Sequence, residues 1–204
     1  MRDDWRRILV VYSLASAIEG LGVSQVYAFL PAYLAGMGVP DPDRVRFVGL
    51  FGSLIFVLGT PLVPFWGVWA DAISRKAVII RSSLVLAAVL VGVALSREPW
   101  QLAASLLLIG LQFGNTGVML AGIRDTAPRA WLGRAIAIFG ASGPIGWAIG
   151  PALAGLLVDG LGLELRVVYL VSAALTLAVA ALLAFGSREV RPEIVPSGRL
   201  LSLA

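Results

Sequence analysis

Glu19 is the one ionisable residue deep inside a long apolar run of this sequence, near the middle of residues 8–34. A charged side chain at the bilayer centre costs about 2.5–3.5 kcal/mol on insertion scales, so such a residue normally faces a cavity and works there. Low dielectric favours the neutral carboxyl over the carboxylate, which brings proton loading and release within reach. Glu19 is therefore the candidate for proton coupling or cation recognition. A protonated Glu hydrogen-bonded between helices is the alternative reading. Gln25 and Tyr27 in the same run, and Gln112 and Asn115 in a later one, are the other polar residues at depth. Interhelical hydrogen bonding accounts for each of them as well as substrate contact does.

Other chemistries are excluded by residue type. The sequence has no Cys and no His, which removes thiolate nucleophiles, disulfides, the usual zinc and haem sites and every His-based catalytic arrangement. No acidic cluster suggests a metal held by carboxylates, and no pair of carboxylates lies within an apolar run. The reading is a non-enzyme with no cofactor and no metal.

Three spacings carry further information. Gly67-Val-Trp-Ala-Asp71-Ala-Ile-Ser74-Arg75-Lys76 closes one apolar run and opens the next. Gly67 would allow close helix approach, while Asp71 could bond Arg75 and cap the following helix. A basic turn obeying the charge rule for membrane topology is the plainer account. In Gly146-Trp-Ala-Ile-Gly150-Pro151-Ala-Leu-Ala154-Gly155, Gly146, Gly150 and Ala154 repeat every four residues and form a small-residue stripe for helix packing. Pro151 frees the carbonyl near position 147 and is expected to kink the helix. The spacing from Gly67 to Ser74 returns as Gly155-Leu-Leu-Val-Asp159-Gly-Leu-Gly162, three apolar runs later and on the opposite membrane face. That is the pattern of a 3+3 inverted repeat.

The elements that must position these residues follow from composition. Of 204 residues 59% are hydrophobic and 14% charged, against about 25% charged in a soluble domain. Six apolar runs stand out, at about 8–34, 47–70, 77–96, 100–123, 135–158 and 167–186, each about 20 residues or more and long enough to span roughly 30 Å of hydrocarbon. The first contains Glu19 and Pro31 and is too long for a cleavable signal peptide. The connectors are short and their charges alternate. With the N-terminus inside, cytoplasmic segments hold twelve of the 16 basic residues, Arg81 among them, and the other side holds Arg44, Arg46, Arg97 and Arg166. The positive-inside rule then predicts both termini in the cytoplasm. These charges report topology, not nucleic-acid binding.

The Gly67–Lys76 segment resembles the signature loop of the major facilitator superfamily, G-x-x-x-D-x-x-G-R-K, with Ser74 where the family has Gly. The Gly146–Gly155 segment is similar to the G-x-x-x-G-P-x-x-G-G motif of antiporters and drug exporters in that superfamily, with Ala154 replacing one Gly. The loop Arg124-Asp125-Thr-Ala-Pro-Arg129-Ala-Trp-Leu-Gly-Arg134 resembles the family's acidic-then-basic loop. The resemblance implies an all-α polytopic fold, six helices in a 3+3 inverted repeat forming the N-terminal half of a twelve-helix transporter. It also implies a gating cluster of Asp71, Arg75, Asp125 and Arg134 that changes partners; solvated surface pairs worth about 0–1 kcal/mol are the alternative. Spans one and four line the family's cavity, which makes Gln25, Tyr27, Gln112 and Asn115 candidates for substrate contact. Family exporters often carry Arg in span four, and here Gly110 precedes Gly114 with no Arg in the run, so more weight falls on Glu19. Residues 187–204 resemble the cytoplasmic linker between halves and are expected to stop as a second half begins.

The expectation is a proton-coupled exporter of small organic compounds in a prokaryotic cell (cytoplasmic) membrane, working by alternating access. Its partners would be substrate, protons, lipid and a C-terminal half or second copy. An uptake symporter for a sugar or organic acid, and a non-transporting membrane scaffold, are the other readings.

Overall fold

The computed structural model describes residues 4–190, and among them there is helix but no strand. The helices are α1 (Asp4–Gly36), α2 (Asp41–Ala72), α3 (Arg75–Leu95), α4 (Pro99–Leu108), α5 (Asn115–Thr126), α6 (Leu132–Gly155) and α7 (Leu165–Gly186). A 3₁₀ turn, Ile109–Gln112, links α4 to α5, and a π turn, Leu156–Gly160, extends α6. Among the described residues six spans are long and apolar enough to cross a membrane, α4 and α5 together making the fourth. The expected linker from 191 onward lies outside the described residues.

Helix ends reach beyond the apolar runs because capping chemistry, not hydropathy, sets them. Asp41-Pro42-Asp43 starts α2 six residues before its run, with Pro in the first turn and two acids at the positive end of the helix dipole. A capping box joins Glu98 and Gln101 at the start of α4. Ser74 caps α3, accepting from the Ala77 amide at 2.9 Å. The cap is therefore Ser74 and not Asp71, which sits in the last turn of α2.

Two apolar clusters fill the bundle. One gathers Leu30, Leu34, Phe51, Leu86, Leu90 and Leu106. The other gathers Tyr12, Val78, Ile79, Met119, Phe139 and Leu183. Along α1, α3 and the fourth span, the residues between the clusters are polar and buried: Glu19, Ser82, Ser83, Gln112 and Asn115. A polar layer at mid-bundle survives only where its members satisfy one another, since lipid offers no partners.

α6 packs along α1 through the small-residue stripe. A Cβ on Gly146 would overlap the Ala17 carbonyl oxygen, and one on Gly150 would meet Ser24 Oγ and lie 2.6 Å from the Leu21 carbonyl. Ala154 continues the stripe, fully buried. Gly155 does not belong to it: nothing lies within 4 Å of its Cβ position, because it falls one residue off the four-residue period. Gly67 likewise faces open space. The close approach expected there occurs elsewhere on α2, where Gly110 of the fourth span would place a Cβ 2.6 Å from both the Gly59 nitrogen and the Ile55 oxygen.

Candidate transport site

Glu19 is 4% exposed, at the middle of α1. Its Oε1 accepts from Ser83 Oγ at 2.7 Å and faces Ser82 Oγ at 3.2 Å, and its Oε2 accepts from Asn115 Nδ2 at 2.5 Å. Every partner can donate, so an ionised carboxylate, which only accepts, is satisfied here. The neutral acid also has a place. Ser82 Oγ lies 2.7 Å from the Ile79 carbonyl, so its single proton can go there while a Glu19 hydroxyl donates to Ser82 Oγ. Both protonation states can thus be hydrogen-bonded with no change of fold.

Three elements bring these groups together. Ser82 and Ser83 are adjacent on α3, and Asn115 is the first residue of α5. Its placement depends on the break in the fourth span, where Gly114 has φ +90°, a conformation that costs a side-chain-bearing residue and leaves Gly free. Asn115 Oδ1 accepts from the Thr116 amide at 2.8 Å, which leaves its Nδ2 to donate to Glu19.

A cavity of about 910 Å³ opens beside this layer, lined by Glu19, Gln112 and Asn115 together with Tyr27, Phe113 and Trp147 among others. The Tyr27 and Trp147 rings stack at 6.3 Å and 11°, and Tyr27 Oη is buried without a protein partner. Phe113 meets Phe56 edge to face at 5.8 Å. One carboxyl in an aromatic chamber suits a flat, largely apolar guest with a cationic or donor group. Gln25 is not part of this cavity. It is 1% exposed and accepts from Ser172 Oγ at 2.7 Å, tying α1 to α7, because its position turns the side chain away from the side that carries Glu19 and Tyr27.

A second polar assembly lies where α2 meets α3. Arg75, 4% exposed, donates through Nε to Asp71 at 2.9 Å and through Nη1 to Asp125 at 2.6 Å, joining α2, α3 and α5. Arg134 is placed apart, its guanidinium over the Trp131 ring at 5.0 Å. A residue not singled out in the sequence replaces it: Glu189, just beyond α7, accepts from Ser74 Oγ at 2.6 Å and from the Arg75 amide at 2.9 Å. Lys76 in turn donates to the Ala184 and Ser187 carbonyls at 2.6 and 2.9 Å, at the carbonyl end of α7. No short spacing in the sequence links these two helix ends, which are more than 100 residues apart.

Sequence reasoning also misplaced Arg81. Counted there with the connector charges, it lies within α3 itself, six residues from Arg75 or about 9 Å along the axis. Its guanidinium stacks over the Trp66 ring at 3.5 Å and its Nη2 donates to the Phe113 carbonyl at 3.3 Å. The available signal was its position inside the third apolar run.

Among the described residues, six membrane-length helices surround a buried carboxyl that opens on a chamber. The profile of the Major Facilitator Superfamily matches residues 8–201, and the chain belongs to that family. It is 33% identical over 187 residues to the multidrug resistance protein MdtG of Yersinia enterocolitica, covering 91% of this chain and 45% of that protein. It is 31% identical over 199 residues to the multi-drug resistance efflux pump PmrA homolog of Lactococcus lactis, covering 98% of this chain and 48% of that protein. The chain spans about half the length of these relatives. Among solved structures, the human organic anion transporter MFSD10 superposes with TM-score 0.75 at 20% identity, covering 92% of this chain and 49% of that one. The peptide-transporter-family protein PepTSo superposes with TM-score 0.74 at 17% identity, over 97% of this chain and 41% of that one. At these identities the likeness is one of fold.

Proposed function

We propose that this protein exports small organic compounds in exchange for protons by alternating access, with Glu19 as the proton-coupling residue. The observation that carries the reading is the carboxyl of Glu19, the single buried one among the described residues and satisfiable in both charge states, at the edge of an aromatic-lined chamber of about 910 Å³. The naming of two relatives for multidrug resistance and efflux supports export. Tyr27, Gln112 and Asn115 contact the substrate in this reading, and a second six-helix half or a second copy closes the chamber. The excess of basic residues on one side supports cytoplasmic termini in a cell membrane. The Asp71–Arg75–Asp125 cluster then sits on the cytoplasmic side, where it holds one conformation and releases in the other.

The test is transport of ethidium by the intact protein in proteoliposomes under an imposed pH gradient. Glu19→Gln keeps the size, retains one acceptor oxygen and replaces the other with a donor NH2, and cannot load or release a proton; it is expected to abolish gradient-driven movement while binding persists. Proton-driven transport at an unchanged rate in that variant would remove the coupling role.

A further inference from the structure

We propose that Arg81 is a positioning residue for Glu19: it clamps the break in the fourth span and thereby sets Asn115 against the carboxyl group. The inference rests on the reading of Glu19 as the coupling residue. It starts from an energetic anomaly. The Nε and Nη1 groups of Arg81 are buried with no hydrogen-bond partner, and among the described residues no carboxylate forms an ion pair with this guanidinium. A half-buried cation with two covered donors unmet is costly, so its retention needs compensation. The Trp66 ring supplies part of it at 3.5 Å, a contact worth about 2 kcal/mol or more when desolvated.

What the guanidinium holds is more telling than what it lacks. Among the described residues its one donated hydrogen bond goes to the carbonyl of Phe113, where the 3₁₀ turn ends. A helix interrupted at membrane depth leaves backbone carbonyls without partners, and Arg81 occupies one of them. The next residue, Gly114, turns the chain and would place a Cβ 3.2 Å from Trp66 Cβ. Asn115 follows, and donates to Glu19 at 2.5 Å. Arg81, Trp66, Phe113 and Asn115 therefore form a continuous mechanical path to the carboxyl. Ser82 and Ser83, next to Arg81 on α3, hold the other carboxyl oxygen. One turn of α3 thus governs both sides of Glu19, directly through two hydroxyls and indirectly through the break.

The experiment uses the intact protein in proteoliposomes and reads two quantities. One is the initial rate of ethidium transport driven by a pH gradient. The other is the infrared carboxyl band of Glu19, identified by its disappearance in Glu19→Gln. Arg81→Met is expected to lower the rate about fivefold, the factor given by one ordinary hydrogen bond, and to move the band to its position in Asn115→Ala. Arg81→Lys keeps a cation for the ring and a donor for the carbonyl, and should restore both towards native. The double variant Arg81→Met/Asn115→Ala should be no worse than either single one, since both act on one path. An unmoved band in Arg81→Met, where Asn115→Ala moves it, would overturn the proposal, as would losses that multiply. If Arg81→Met does not insert, Trp66→Leu removes the platform, and the same comparison with Asn115→Ala decides. Survival of proton-driven transport in Glu19→Gln would sink the coupling reading alone, leaving the band comparison to judge the clamp.

Discussion

Replacing Gly146 by Ala tests the α1–α6 contact on which the site rests. The added methyl falls on the Ala17 carbonyl oxygen and crowds the Ala17 carbonyl carbon at 2.8 Å and Cα at 3.0 Å. These are backbone atoms of a buried helix and cannot rotate aside as a side chain would. The helices must part, and overpacking of this kind costs about 1–3 kcal/mol. Helix propensity acts in the other direction, Ala being favoured over Gly by up to about 1 kcal/mol. Gly155→Ala provides the matched control: same helix, same propensity gain, nothing within 4 Å. The difference between the two variants isolates the contact, and should amount to about 1–3 kcal/mol, or roughly five- to 150-fold in the unfolding constant. Equilibrium unfolding of the purified protein in mixed micelles measures it. Ala17 lies two residues before Glu19, so Gly146→Ala should also lower proton-driven transport. Equal stability of the Gly146→Ala and Gly155→Ala proteins would refute the argument, because it would mean that α6 does not lie against α1 at this point.

Two other changes give measurable outcomes. Ser74→Ala and Ser74→Gly both lose the bond to Glu189, but Ser74→Ala also loses the favourable cap residue and should be less stable than Ser74→Gly, the family's residue, by roughly 0.5–1 kcal/mol; equal losses in thermal unfolding would contradict the capping role. Gln25→Leu severs the bond from Ser172 and leaves the Ser172 hydroxyl without that partner, so stability should fall by about 1 kcal/mol, with the relative affinities for different substrates unchanged in a binding titration.

The fold was readable because lipid imposes few solutions. Runs of about 20 apolar residues had to become spans, and the small-residue period at Gly146, Gly150 and Ala154 correctly named a close helix contact. Glu19 and Asn115 were readable from the cost of polarity at depth, and they meet in the structure. The same reasoning failed where a residue's direction mattered. Gln25 and Tyr27 are two positions apart, but one ties helices together and the other faces the cavity. Gly67 and Gly155 match motifs by spacing, yet the motif does not say which neighbour is present, and both face open space. Arg81 was missed because a basic residue near a span end reads as a topology signal, while its long side chain reaches inward to Trp66. Glu189 was missed because its partners at Ser74 and Arg75 are distant in the chain.

The crossed bonds between α3 and α7 have a consequence under load. Glu189, from the end of α7, covers the amide end of α3, while Lys76, from the start of α3, covers the carbonyl end of α7. Each helix thus supplies the terminus that the other lacks, and parting them strips both ends at once. Force applied at Ser187 would therefore load the start of α3 together with the end of α7, and the two antiparallel helices would be pulled as a pair.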